Sequence, residues 1–413
     1  MRKVLIYSVL LVAGLLAGQL MPEIGSVRWL ISVLAMWVLS YIMIHVGCEF
    51  DIDKSRPRQY LWDYVVASTA AAFPWVFCAV YFVYVLAPPE IWGHFDLWRE
   101  SLLESRFASP TSAGVLFSML AAAGLSASWV YRKARVLAIF DDLDTILLLI
   151  PLKIMMVGIR WQLVVIVGII GMLLWIAWRY MHRVRLPVTW KYVLVYAAGI
   201  TVCSEVLFEV SRYFAPSAPI HMEVLLPAFV FGCVLAPPVF SVPADASPRT
   251  EETVSSVLSG VFMLLVGMSM PKVFLQALPN IESAATAAYH SLSYAGVSSE
   301  VMALKATMPS PGMLAAHVVA VTVISNLGKM FPALCYRKEA SVRERLALSV
   351  AMFPRGEVGG GVLVASIGYG IGGPALTVAA LSLSLNLLCT GAFILVVKKL
   401  LGTNAVCVEP RGC

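Results

Sequence analysis

The sequence predicts an all-α polytopic membrane protein of about twelve transmembrane helices, and three observations predict it. Hydrophobic residues make up 60% of the chain and charged residues 13%, against about 45–50% and 25% in soluble domains. The apolar excess comes in blocks of about 17–25 residues, the length that crosses a hydrocarbon core as a helix. Basic residues gather in alternate connections between the blocks, the pattern of inside loops. A spanning β-barrel shows segments of ~10 residues with alternating polarity instead. The net charge of +6 follows from that loop clustering and implies no nucleic-acid partner.

The blocks lie at 4–20, 29–48, 61–86, 108–124, 136–156 and 161–180, then at 190–210, 222–237, 254–275, 313–336, 346–370 and 376–397. The first begins MRKVLIYS and has the outline of a signal peptide. It is read as a retained span because the even count closes with it in place. One alternate set of connections carries Arg2 and Lys3, Lys54 to Arg58, Arg132 to Arg135, Arg179 to Lys191, Arg249, Arg337 to Arg345, and Lys398 with Lys399. That set and both termini are therefore placed in the cytoplasm. The long connections 88–105, with Glu90, Asp96, Glu100 and Glu104, and 276–311 fall outside and are expected to hold short surface helices. Eight cysteines without CxxC spacing read as small core residues, with no disulfide framework, metal site or cofactor implied.

Within 136–156, VLAIFDDLDTILLLIPLKIMM, stand Asp141, Asp142 and Asp144. One acidic residue at mid-membrane costs roughly 2.5–3.5 kcal/mol, so three together must face a cavity, a cation or a basic partner. Ion handling is the default reading. Adjacent helical residues point about 100° apart, so Asp141 and Asp142 serve different directions. Asp141 shares a face with Asp144 and Thr145. A carboxylate facing a polar cavity can take either a proton or a hard monovalent cation, and that competition alone couples the two fluxes.

Two spans carry helix breakers at depth. The fourth begins ASPTSAGV, where Pro110 removes a donor, Gly114 loosens the chain, and Thr111 and Ser112 offer hydroxyls. The eleventh contains FPRGEVGGG, with Pro354, Arg355, Gly356 and Glu357 followed by Gly359, Gly360 and Gly361. Irregular backbone at membrane depth is tolerated only where it lines a cavity or is buried in protein. Each break lies in the second span of a three-span group, spans three to five and ten to twelve, which predicts an inverted repeat with a transport site between them. In the tenth span Lys329 sits about two turns from the Tyr336–Lys338 border. It either snorkels to the cytoplasmic interface or pairs with a carboxylate of the fifth span. Both readings are open.

These residues resemble the monovalent cation:proton antiporter family, in particular the bacterial sodium/proton exchangers with paired aspartates. GCEFDID at 47–53 looks like the family's GLEFD-type helix end, PTSAGV at 110–115 its unwound crossing, and FDDL at 140–143 its aspartate pair. NLGKMFPALCYRKEASVRERLALSVAMFPRGEVG at 326–359 resembles its lysine helix and second crossing, and PAFVFGCVLA at 227–236 its GAFLAG helix. The resemblance implies the sodium/proton antiporter fold, a single exchanger domain over 1–413 with core-type helices at 60–156 and 312–400 and dimerisation-type helices from 1–50 and 160–275. It implies a homodimer in the bacterial inner membrane. Asp142 would carry Na+ or the proton, Asp141 would pair with Lys329, and Thr111 and Ser112 would lie at the crossing. Arg355 and Glu357 would balance half-helix dipoles. Asp144 and Thr145 are further candidates.

The chain departs from the family pattern in having one span rather than two before the GLEFD-like end, a third carboxylate at Asp144, and Pro227 at a usual glycine. The implied activity is electrogenic exchange of Na+ or Li+ for protons by alternating access. Alternatives are K+/H+ exchange or a Na+-coupled organic-anion symporter of related fold. An intramembrane aspartyl hydrolase needs aspartates on two facing helices, whereas these are adjacent on one, so no enzyme is expected.

Overall fold

Helices that are apolar on every side have no water-facing stripe, so they are stable only where lipid or protein surrounds them. Most helices of this chain are of that kind. The computed structural model describes residues 2–21, 25–48, 50, 57–157, 161–214, 224–236, 248–269, 309–368, 371 and 373–402. Along these run α1 (Arg2–Leu20), α2 (Gly25–Cys48), α3 (Pro57–Tyr81, prolonged by a π turn, Phe82–Leu86), α4 (Phe95–Glu104), α5 (Ala113–Ala122), α6 (Trp129–Val157) and α7 (Trp161–Tyr180). There follow α8 (Trp190–Phe214), α9 (Leu225–Val234), α10 (Pro248–Ser269), α11 (Pro311–Gly328), α12 (Val342–Ala351), α13 (Glu357–Gly368) and α14 (Pro374–Leu401).

Among the described residues six segments are long and apolar enough to cross a bilayer: Lys3–Leu20, Trp29–Cys48, Arg58–Leu86, Trp190–Ser211, Pro311–Leu334 and Pro374–Leu401. The chain is a multi-pass membrane protein. The remaining expected spans are shorter apolar helices, such as Val164–Tyr180, Leu225–Val234 and Thr253–Ser269, the charge-bearing α6, and two interrupted spans. The expected connection 276–311 lies outside the described residues apart from its last three.

One sequence expectation is corrected. The connection 88–105 is not a surface stretch over its second half. Its second half is α4, whose Leu97, Glu100, Ser101, Leu103 and Glu104 are buried. A 3-10 turn, Ser105–Ala108, carries α4 towards α5. The fourth span is therefore two half-helices joined at 109–112, and it begins well before residue 108.

The chain divides into two compact units. The first comprises Met1–Met21, Gln59–Thr145 and Val266–Cys413. One close approach in it lies where Gly328 meets α3, because a Cβ at Gly328 would fall 2.5 Å from the backbone nitrogen of Pro74. The second comprises Pro22–Arg58 and Ile146–Leu265. There α2 packs on α8 and α9, and Gly47 and Gly232 let two backbones touch: a Cβ at either would overlap the facing main chain. Those glycines belong to GCEFDID and PAFVFGCVLA, so both motifs have a packing reason in this unit.

Candidate functional site

Both interrupted spans belong to the first unit, and their breaks meet. Pro110 and Pro354 withhold amide donors, so carbonyls and amides at 109–112 and 352–356 need partners outside their own helices. They find them in each other. Ser112 N donates to Pro354 O (2.9 Å), Thr111 Oγ1 donates to Met352 O (3.0 Å), and Arg355 Nε donates to Ala108 O (2.8 Å). The Ser112 hydroxyl also caps α5, accepting from Val115 N (3.4 Å). Gly356 leaves room for this approach, since a Cβ there would come within 3.0 Å of Ser112 Oγ. Such mutual satisfaction is what irregular backbone at membrane depth requires.

Arg355 is buried and ties the breaks to α11 and α14. Its Nη1 donates to Asn326 Oδ1 (2.8 Å) and its Nη2 to Ser325 O (2.9 Å). With the Asn386 amide oriented to suit its neighbours, its oxygen accepts from Arg355 Nη1 and its nitrogen donates to Phe353 O, each at 2.8 Å. Ser325 is in the last turn of α11, so the guanidinium sits at the negative end of that helix, where a cation is favoured. Glu357 opens α13; its side chain lies outside what the structure describes.

Asp141 is fully buried on α6. Lys329 Nζ, equally buried, donates to Oδ1 (3.0 Å) and Oδ2 (2.8 Å). Thr111 N, released by the first break, donates to the same Oδ2 (2.7 Å). The lysine is the residue after α11, and Gly328 beside it is the one pressed against α3. Asp142, 4% exposed, is the next residue, turned about 100° away. Thr145 is buried but spends its hydroxyl on the main-chain oxygen of Asp141 (2.8 Å), an ordinary back-bond within a helix. Asp144 points to α3, where the Tyr64 hydroxyl donates to its Oδ1 (3.0 Å). The breaks thus bring together Asp141, Lys329, Thr111, Ser112 and Arg355, while Asp144 and Thr145 have local partners of their own.

Four functional-looking side chains escape the sequence reading. Arg106, in the 3-10 turn before the first break, is fully buried. Asn386 was hidden as one amide in an apolar span, and Tyr64 as an aromatic near a helix end. Asp63 forms a buried cluster with Lys133: Lys133 Nζ lies 2.9 Å from Asp63 Oδ1 and 3.1 Å from Glu339 Oε2. The Tyr336 hydroxyl donates to Asp63 Oδ1 (2.7 Å), and Lys133 Nζ stands 4.3 Å from the Tyr336 ring centre. Counting Lys133 among loop charges concealed this, because α6 begins at Trp129 and takes Lys133 inside. Among the described residues no group of three or more His, Cys, Asp or Glu side chains is arranged to hold a metal ion.

No protein-family model matches the sequence, and no curated protein matches it. Among solved structures the chain is similar to the sodium proton antiporter MjNhaP1 from Methanocaldococcus jannaschii, determined at pH 8. The TM-score is 0.56 at 16% identity, over 96% of this chain and 92% of that one. At that identity the likeness is one of fold: an all-α polytopic architecture shared along nearly the whole length of both chains.

Proposed function

We propose that the chain is a cation:proton antiporter that exchanges Na+ or Li+ for protons electrogenically, by alternating access. The observation that carries this reading is the Asp141 carboxylate, held at once by Lys329 and by the Thr111 amide where two broken helices meet, with Asp142 buried beside it. Asp142 takes the cation or the proton, one at a time, and so couples the fluxes. Lys329 leaves Asp141 and gives up its proton as the cation loads, so two protons move against one cation. Thr111 and Ser112 supply polar backbone at the crossing, and Arg355 and Glu357 balance the half-helix ends. The fold shared with a sodium proton antiporter supports this reading.

In the same proposal the protein has twelve spans, lies in the bacterial inner membrane with both termini in the cytoplasm, and works as a homodimer. Helices within 60–156 and 312–400 form the moving core, and the remaining helices form the dimerisation part. The cargo ions are substrates, and no resident cofactor takes part.

The test is a proteoliposome assay. Vesicles carrying the protein and an inside-acid gradient receive sodium, lithium or potassium while membrane potential is followed. Sodium or lithium should discharge the gradient and leave a potential. A gradient untouched by all three cations would end the antiport reading, and a response to potassium alone would move the cargo to K+.

A further inference from the structure

Arg106 has no task in the exchange scheme, yet it is among the largest fully buried side chains. Its Nη1 donates to Ser109 Oγ (2.8 Å) and its Nη2 to the main-chain oxygen of Asp144 (3.0 Å). The guanidinium carbon lies 4.9 Å from the centre of the Trp75 ring, and Nε has no hydrogen-bond acceptor. Every acceptor that Arg106 touches is neutral. A guanidinium buried this way is expensive unless negative charge stands near it. That charge is at hand, because the carbonyl it grips belongs to Asp144 itself. With a rise of 1.5 Å per residue, Asp142 and Asp141 start within one helical turn of the same point.

Asp144 is meanwhile anchored by Tyr64 and stands two positions from Asp142, on roughly the opposite side of α6. It is placed to set the local charge but not to share a ligand shell with Asp142. Arg355 also acts on Asp141, but its hydrogen bonds go to the Ala108 and Ser325 carbonyls and to Asn326. Asp144 then has Arg106 beside it, while Asp141 has Lys329. Arg106 offsets Asp144 whether Lys329 is charged or neutral, which leaves Asp142 and the Asp141–Lys329 pair as the charges that cargo meets.

We propose that Arg106 is a fixed counter-charge of the site, a positioning residue whose positive charge offsets Asp144, so that cargo meets only Asp142 and the Asp141–Lys329 pair. The Arg106–Asp144 pair carries no ion. This rests on the antiport reading and adds to it a residue that sets cation affinity from outside the ligand shell.

The experiment measures the apparent KM for sodium and for lithium at alkaline pH, where proton competition is smallest, in proteoliposomes of the full chain. Removing the cation with Arg106→Gln should lower KM about tenfold, and removing the carboxylate with Asp144→Asn should raise it about tenfold, the size expected of one charge about 10 Å away at an effective dielectric near 20. The double variant should return close to the wild-type KM, and Arg106→Lys should stay near it. Single variants that lose only yield or maximal rate, with KM unmoved, would overturn the proposal. A double variant worse than either single would do the same. If Arg106→Gln does not fold, Asp144→Asn compared with Asp144→Glu decides, and an unchanged KM in Asp144→Asn rejects the idea. A wild-type protein without exchange would instead reject the antiport reading, so the two failures are distinct.

Discussion

Lys329 and Thr111 share one oxygen: Nζ of the lysine lies 2.8 Å and the amide of the threonine 2.7 Å from Oδ2 of Asp141. One donor is a mobile charge on a long side chain and the other is fixed backbone, exposed only because Pro110 breaks the helix. A carboxylate so held keeps a partner when the lysine departs. That gives the exchange reading its physical plausibility, since Lys329 can change state without stranding a bare buried anion.

Removing the lysine should therefore be costly but survivable. Lys329→Met leaves Asp141 buried with only the amide, and breaking a buried pair from one side costs about 3–5 kcal/mol. Thermal unfolding in detergent should drop for Lys329→Met and recover in part with Asp141→Asn added. On a solid-supported membrane the single variant should give no net current while proton flux persists, and a wild-type current would count against the Asp141–Lys329 proton step.

Asn386 bridges the Arg355 guanidinium and the Phe353 carbonyl. Asn386→Ala should destabilise by about 1–3 kcal/mol, the cost of leaving a buried polar group unsatisfied, and Asn386→Leu by more. Unchanged melting of both variants would remove Asn386 from the bracing of the second break.

The Asp63–Lys133–Glu339–Tyr336 cluster is structural in this account. Lys133→Met should lower the melting temperature, by about 3–5 kcal/mol in stability for a buried pair broken from one side, while leaving the sodium KM unchanged. Combining it with Asp63→Asn should restore part of the loss. A KM shift without a melting shift would show that the cluster acts on transport.

Gly328 has no room for a side chain against Pro74. Gly328→Ala should push α11 from α3 and shift the neighbouring Lys329, lowering both stability and exchange rate. Overpacking of this kind costs about 1–3 kcal/mol, readable as a lower melting temperature. A variant with wild-type melting and exchange would show that the two helices can part there without consequence.

What the sequence makes legible follows from how local each signal is. Apolar length is a property of a single segment, so the long spans stand out. The breaks at Pro110 and Pro354 are equally visible, because proline and glycine act on their own backbone. The half-helix Phe95–Glu104 is hidden from the sequence for the opposite reason. Asp96, Arg99, Glu100 and Glu104 make FDLWRESLLE look like a surface helix, whereas tertiary packing buries Leu97, Leu103 and two of the acids. Charge partners are non-local as well. The sequence displays Asp141, Lys329 and Asp144 as charges in want of company, but pairing of the last with Tyr64 and Arg106 needs three segments brought together.

The most direct measurement is sodium-driven discharge of ΔpH by Asp142→Asn in proteoliposomes, at matched protein density and with wild-type melting checked beforehand. The variant should fold, and sodium and lithium should leave its gradient intact. Discharge at the wild-type rate would contradict Asp142 as the carrier, which would then have to be sought elsewhere on α6.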